Sequence, residues 1–170
     1  MIRKLLLDIE RSIREQLFHV GLLAALTVPD IAGALDSEDG EANGEKYERW
    51  FDEYIAPKYI PPKYIARGDT PLITGEDCYQ YRCKLLHQGQ AIHRKSRYAK
   101  SLFLFAKQDN IAYCGAFTLD DGQTLVIDIP VFCSNMVMGA YAWLDRVEET
   151  SRFKERSAQL MDLFQLSFGN

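Results

Sequence analysis

Histidine is scarce in this chain of 170 residues: there are three, His19, His87 and His93. The four cysteines, Cys78, Cys83, Cys114 and Cys133, form no Cys-x-x-Cys pair. Cys83 and His87 stand four apart, a spacing that one helix face offers to a metal, yet no second pair completes a zinc set. No metal and no other cofactor is therefore expected. A disulfide framework belongs to small chains that lack a core, so these cysteines read as reduced, mostly buried thiols of a cytoplasmic protein. Uninterrupted apolar runs are short. The N-terminal candidate, Val20 to Leu26, is broken off by Pro29 and Asp30, far below the roughly 18 residues that suggest a membrane span. The N-terminus acquires Asp8 and Glu10 too early for a signal peptide. A glycine-rich phosphate loop, a Gly-x-Ser-x-Gly elbow and a His-Glu-x-x-His helix are all missing, which removes the common nucleotide, serine-hydrolase and zinc-protease signatures. Internal repeats and heptad arrays are missing too.

What remains is the composition of a globular protein. Hydrophobic residues make up 47%, aromatics 12% and charged residues 26%, enough apolar material for one core and one domain spanning residues 1–170. The net charge is -4 and the isoelectric point about 5.4. The surface as a whole is therefore no general nucleic-acid binder, and any such role must come from a local patch.

Periodicity predicts helices. Ile2, Leu5, Leu6, Ile9, Ile13, Leu17 and Val20 recur at mostly three- and four-residue steps, which predicts one amphipathic helix continuing into a buried apolar end over Val20 to Leu26. His19, among Phe18, Val20 and Leu22, reads as a core or interface histidine. Pro29 suits the first turn of a short second helix. The polar run after it, with two glycines, reads as an exposed loop. A third helix is expected from about Glu45 to Ile55 and a fourth from about Gly75 to Gln88. Thr74 is the N-cap of this fourth helix, Asp77 completes a capping box, and Gly89 ends it in the left-handed conformation. Between them, Pro57, Pro61 and Pro62 forbid regular helix. The texture then changes. Leu102–Ala106, Ile111–Leu119 and Thr124–Ile129 are rich in aromatic and β-branched residues, and Asp120-Asp121-Gly122 is a hairpin signal. Two more helices follow, from about Val131 to Glu148 and Ser151 to Phe164. The expected fold is mainly α, with an inserted β-hairpin or small antiparallel sheet over about residues 102–129.

Charge is unevenly placed. From Cys78 to Gln108 there is no Asp or Glu, but there are seven positive residues: Arg82, Lys84, Arg94, Lys95, Arg97, Lys100 and Lys107. Since the whole chain carries -4, the rest carries -11. A basic segment in an acidic protein is a candidate phosphate site; a solvated basic loop is the plain alternative. Lys84, His93, Arg94, Lys95 and Arg97 are the candidate RNA contacts. Arg82 and His87 sit near the end of the fourth helix. An arginine fork suits a phosphate diester, and a histidine can move a proton near neutral pH. A ribose 2′-hydroxyl would attack the adjacent phosphorus, His87 would act as base or acid, and Arg82 would hold phosphorane charge. Five residues of helix turn through about 140°, so the two side chains do not share one face of a straight helix. They would converge if the last turn frayed, or if each completed a site with a second copy of the chain. The structural alternatives are a salt bridge from Arg82 to Asp77 or another acid, and a His87 that caps helix carbonyls.

Arg82-x4-His87 near a helix end, followed by Gly89 and a basic run, resembles the Arg-x4-6-His motif of HEPN domains. The resemblance implies a helical bundle, a homodimer and a cleft at the dimer interface lined by Arg82 and His87. It also implies metal-independent endoribonuclease activity on RNA, as in many toxin–antitoxin and phage-defence members, with an antitoxin or other protein as a further partner. The residue after the motif arginine is often polar in active members, whereas here it is Cys83, a weak hydrogen bonder. A non-catalytic RNA-binding or protein-interaction module of the same fold is the alternative.

Overall fold

A computed structural model describes residues 1–61, 70–90, 98, 100–104, 114–119 and 122–160. These residues are mainly helical. Helix α1 covers Ile2–Arg14 and buries Ile2, Leu6 and Ile9, the stripe that the sequence periodicity marks. Each such side chain contributes on the order of 1.5–3 kcal/mol when fully buried. The helix stops earlier than periodicity predicts. Gln16 takes a φ of 59°, the Leu17 amide donates back to the Ser12 carbonyl at 2.7 Å, and a separate helix α2 begins at Phe18 and runs to Ala25. The break rotates the stripe. Leu17 and Val20, expected on the buried side, are 53% and 57% exposed. His19 is exposed as well, not a core histidine. Within Val20 to Leu26, only Gly21, Leu22, Ala25 and Leu26 are buried.

Helix α3 spans Val28–Asp36 with Pro29 in its first turn. Averaged over Phe18–Asp36, hydropathy reaches 1.6, higher than the short apolar runs suggest. That stretch is nevertheless two helices separated at Leu26 and Thr27, and half of it is buried inside the protein. The following polar loop is ordered by local bonds. The Ser37 hydroxyl donates to the Ala34 carbonyl at 2.9 Å and accepts from the Gly40 amide at 3.1 Å. Helix α4 (Gly44–Tyr54) is capped by Asn43, which accepts from the Lys46 amide. A single 3-10 turn, Ala56–Tyr59, follows. Helix α5 (Gly75–Gln88) carries the candidate site. Helix α6 (Ile129–Val147) is the central helix and is capped by Asp128. Helix α7 (Ser151–Ser157) begins after Thr150, whose side chain caps it, and buries Phe153. The helix expected to reach about Phe164 ends at Ser157 and is followed by a turn over residues 158–160; what lies beyond residue 160 is outside the described residues.

The helices pack in one body. Helix α1 contacts α2 and α6, α2 contacts α6, α3 contacts α4, α6 and α7, and α4 contacts α5. Trp143 and Phe132 of α6, with Leu6, Tyr47, Phe51 and Tyr81, are among the largest fully buried side chains. Three strands, β1 (Lys100–Leu104), β2 (Cys114–Leu119) and β3 (Gly122–Asp128), stand in the order β1-β3-β2. Strands β2 and β3 are antiparallel, with Ala116 opposite Leu125. Strand β1 runs parallel to β3, with Leu102 opposite Val126. The sheet is therefore mixed, where the sequence suggests antiparallel pairing alone. Leu125 and Ile127 of β3 join the helical core, and β3 leads directly into α6.

Candidate functional site

Helix α5 is fixed at both ends by its own sequence. The Thr74 hydroxyl accepts from the Asp77 amide at 3.2 Å, and Asp77 Oδ2 accepts from the Thr74 amide at 3.0 Å. Two of the orphan donors at the helix start are thereby satisfied. The Gly75 amide donates to Asp52 of α4 at 2.6 Å. At the other end Gly89 has a φ of 63°, and the amides of Gly89 and Gln90 return to the carbonyls of Leu85 and Lys84. The helix is thus regular through Gln88, and no frayed last turn brings His87 round to Arg82.

The two residues have different surroundings. Arg82 is three-quarters buried at its side chain. Its Nε donates to Oδ2 of Asp30, in the first turn of α3, at 2.8 Å. Its Nη1 lies 4.0 Å from the Cys83 sulfur. The structural alternative for Arg82, an ion pair with an acid, is realised with Asp30 and not with Asp77, whose carboxylate caps α5. Burial alone would lower the Arg82 pKa, but the Asp30 charge and hydrogen bond outweigh it, and the guanidinium stays charged. Asp30 shows the opposite balance. Burial raises its pKa above the ordinary aspartate value, and the attraction of Arg82 offsets only part of that. The carboxylate is under-solvated even with its partner.

His87 is exposed in the last turn of α5. Lys84, one turn earlier, reaches along the helix to Gln88 Oε1 at 2.8 Å. Within one chain, Arg82 and His87 therefore face directions about 140° apart on a straight helix. His93, Arg94, Lys95 and Arg97 lie outside the described residues. Tyr79 and Tyr81 flank the site on the N-terminal side. Tyr81 is buried, while Tyr79 stacks at a tilt on Tyr47, with ring centroids 5.4 Å apart. The Tyr47 hydroxyl sits at 3.1 Å from the Leu26 carbonyl, to which it donates, and 3.3 Å from the Cys78 sulfur. This knot of α2, α4 and α5 places the Arg82 turn. Burial pushes both the Tyr47 hydroxyl and the Cys78 thiol well above their usual pKa values, and Cys133 up to about 12. All three stay neutral near pH 7, so Cys78 and Cys133 are packing residues, not nucleophiles.

Asp30 is the site residue that sequence reasoning missed. It stands 52 positions before Arg82, and the only signal near it, Pro29-Asp30 at a helix start, says nothing about its partner. Among the described residues, no three of His, Cys, Asp or Glu gather as a metal cluster would need. No protein-family model matches the chain, and neither the curated proteins nor the solved structures give a match.

Proposed function

We propose that this chain is a metal-independent endoribonuclease of the HEPN type that acts on RNA as a homodimer. The observation that supports the reading best is the placement of His87. It is exposed in the last turn of a helix whose left-handed Gly89 leads the chain directly into the acid-free basic segment. RNA drawn to that segment by charge meets a titratable imidazole at its edge. Arg82, held at Nε by Asp30, has its fork oriented by a carboxylate, as a group that must meet a phosphate diester requires. Because the two face apart in one chain, the working site pairs Arg82 of one copy with His87 of the other. Attack of the 2′-hydroxyl on phosphorus forms a 2′,3′-cyclic phosphate and expels the 5′-oxygen. His87 takes or gives the proton, and Arg82 stabilises the phosphorane charge.

The experiment is RNA cleavage in EDTA by wild type and His87→Ala side by side. Cleavage by wild type alone, leaving 2′,3′-cyclic phosphate ends, is the expected result. Equal cleavage by both would end the assignment. A second reading is favoured by one observation, the ion pair of Arg82 with Asp30. A guanidinium neutralised by a carboxylate offers less to a phosphate, as in a module that binds RNA or a protein without cutting. That module would be indifferent to His87→Ala. It would lose RNA on replacement of Arg94, Lys95 and Arg97 by alanine, with affinity falling steeply as salt rises.

A further inference from the structure

A cavity of about 340 Å³ lies between α3, the loop after it and the end of α7. That volume is at the lower end of the range for small-molecule sites, roughly 300–1,000 Å³. Ile31, Ala34, Leu35 and Leu160 supply apolar walls, and Asp30, Arg156 and Gln159 supply the polar side chains. The rim is held by its own bonds. Arg156 donates from Nη2 to the Glu38 carbonyl at 2.6 Å and from Nη1 to the Asp39 carbonyl at 3.4 Å, which pins the loop against α7. Gly40, at a φ of 75°, leaves room for this guanidinium, because a Cβ there would collide with Nη1.

Charge decides the class of ligand. The Asp30 carboxylate on the wall is paired with Arg82. On the loop, Asp39 is paired with Lys46, and Glu38 lies 3.8 Å from Arg152. Arg156 differs from these bases. Among the described residues no carboxylate pairs with it, and both of its partners are neutral carbonyls. Carbonyls engage two of the five guanidinium donors and cancel none of the charge. The remaining donors suit a planar carboxylate, and charge-assisted hydrogen bonds are roughly twice as strong as neutral ones. Gln159 adds an amide donor to the same lining. One uncompensated positive charge among apolar walls matches one negative charge on an apolar body, and not a phosphate dianion.

We propose that this cavity binds a small organic monocarboxylate, with the carboxylate accepting from Arg156 and Gln159 and the apolar body against Ile31, Ala34, Leu35 and Leu160. Arg156 then bridges the ligand and the loop carbonyls, so occupancy tightens the loop on α7. The inference stands on the cavity and does not depend on RNA cleavage.

The test is a ligand-observed NMR titration of the full chain with 3-phenylpropanoate, its neutral amide 3-phenylpropanamide and the cation 3-phenylpropylamine. Near neutral pH the acid and the amine are both ionised, so the series varies charge on one body. A dissociation constant on the order of 1 mM or tighter is expected for the carboxylate, in keeping with the efficiency of small ligands. The amide should bind at least about tenfold more weakly, and the amine no better than the amide. Arg156→Gln keeps a donor for the loop but removes the charge, and should lose the preference for the carboxylate over the amide. Ala34→Phe fills the cavity while keeping Arg156, and should abolish binding, with thermal melts verifying that both variants fold. Absence of carboxylate binding at millimolar concentration, or amide or amine binding as tight as the carboxylate, would overturn the proposal on wild type alone. Unchanged binding by folded Ala34→Phe would overturn it as well.

Discussion

Arg82 and Asp30 are an ion pair in which neither partner is fully wet, with side-chain exposures of 25% and 16%. Pairs of this kind cost desolvation that their attraction does not always repay. Here the balance is visible in Asp30, whose pKa is raised by burial despite the adjacent guanidinium. A carboxyl raised in the folded state binds its proton more tightly there than in the unfolded chain. Its contribution to stability is therefore fully present below the unfolded value, about pH 4, and is lost as pH rises through the folded value. Asp30→Asn removes that titration while keeping an acceptor for Arg82. The stability of wild type minus that of the variant, from urea unfolding at a series of pH values, should fall as pH rises from about 4. A difference that grows with pH would mean that Arg82 dominates the pair. Glu148 and Asp39 behave oppositely. Each is held below its ordinary value, by hydrogen bonds from Arg3 and from Lys46 respectively, so the stability they confer is lost on acidification. Both are present in either protein and cancel in the difference.

Helix α5 was readable end to end because its stop and start signals are local. Thr74 and Asp77 are three residues apart, and Gly89 follows the last periodic residue, so no distant contact is needed to place the boundaries. Thr74→Ala should cost about 1 kcal/mol, the usual worth of an N-cap. Gly89→Ala meets no atom within 4 Å, so its cost is backbone strain alone, again about 1 kcal/mol, and Gly89→Asn should recover part of it. Chemical denaturation midpoints measure both. If Gly89→Ala were neutral, the left-handed cap would not be holding the last turn, and the exposed presentation of His87 would lose its cause. Helix α1 shows the opposite case. Its end rests on Gln16 at positive φ and on a bond from Leu17 back to Ser12. Neither glycine nor proline marks the spot, so a periodic pattern that continues to Val20 hides the break. The Asp30–Arg82 pair was equally illegible, because it joins α3 to α5 across 52 residues and depends on how those helices cross.

At the scale of the whole molecule, the sequence pattern defined a mainly helical protein with one stretch that holds seven basic residues and no acid, and it named Arg82 and His87. It did not contain their mutual geometry. A regular α5 keeps them about 140° apart, so one chain cannot aim both at one phosphorus, and a catalytic reading requires two copies related by symmetry. That requirement has a quantitative consequence. In an isologous dimer each site takes Arg82 from one copy and His87 from the other. Arg82→Ala and His87→Ala, each purified alone, should both be inactive in EDTA. After the two are unfolded together and refolded at equal amounts, random pairing makes about half of the dimers mixed. In each mixed dimer one site recovers an intact Arg82 and an intact His87, while the other has neither. Cleavage should therefore return to about a quarter of the wild-type rate per chain. A site built within one chain would give no recovery, since every chain would still lack one of the two groups. Absence of recovery, with size-exclusion chromatography showing that mixed dimers had formed, would refute the shared site.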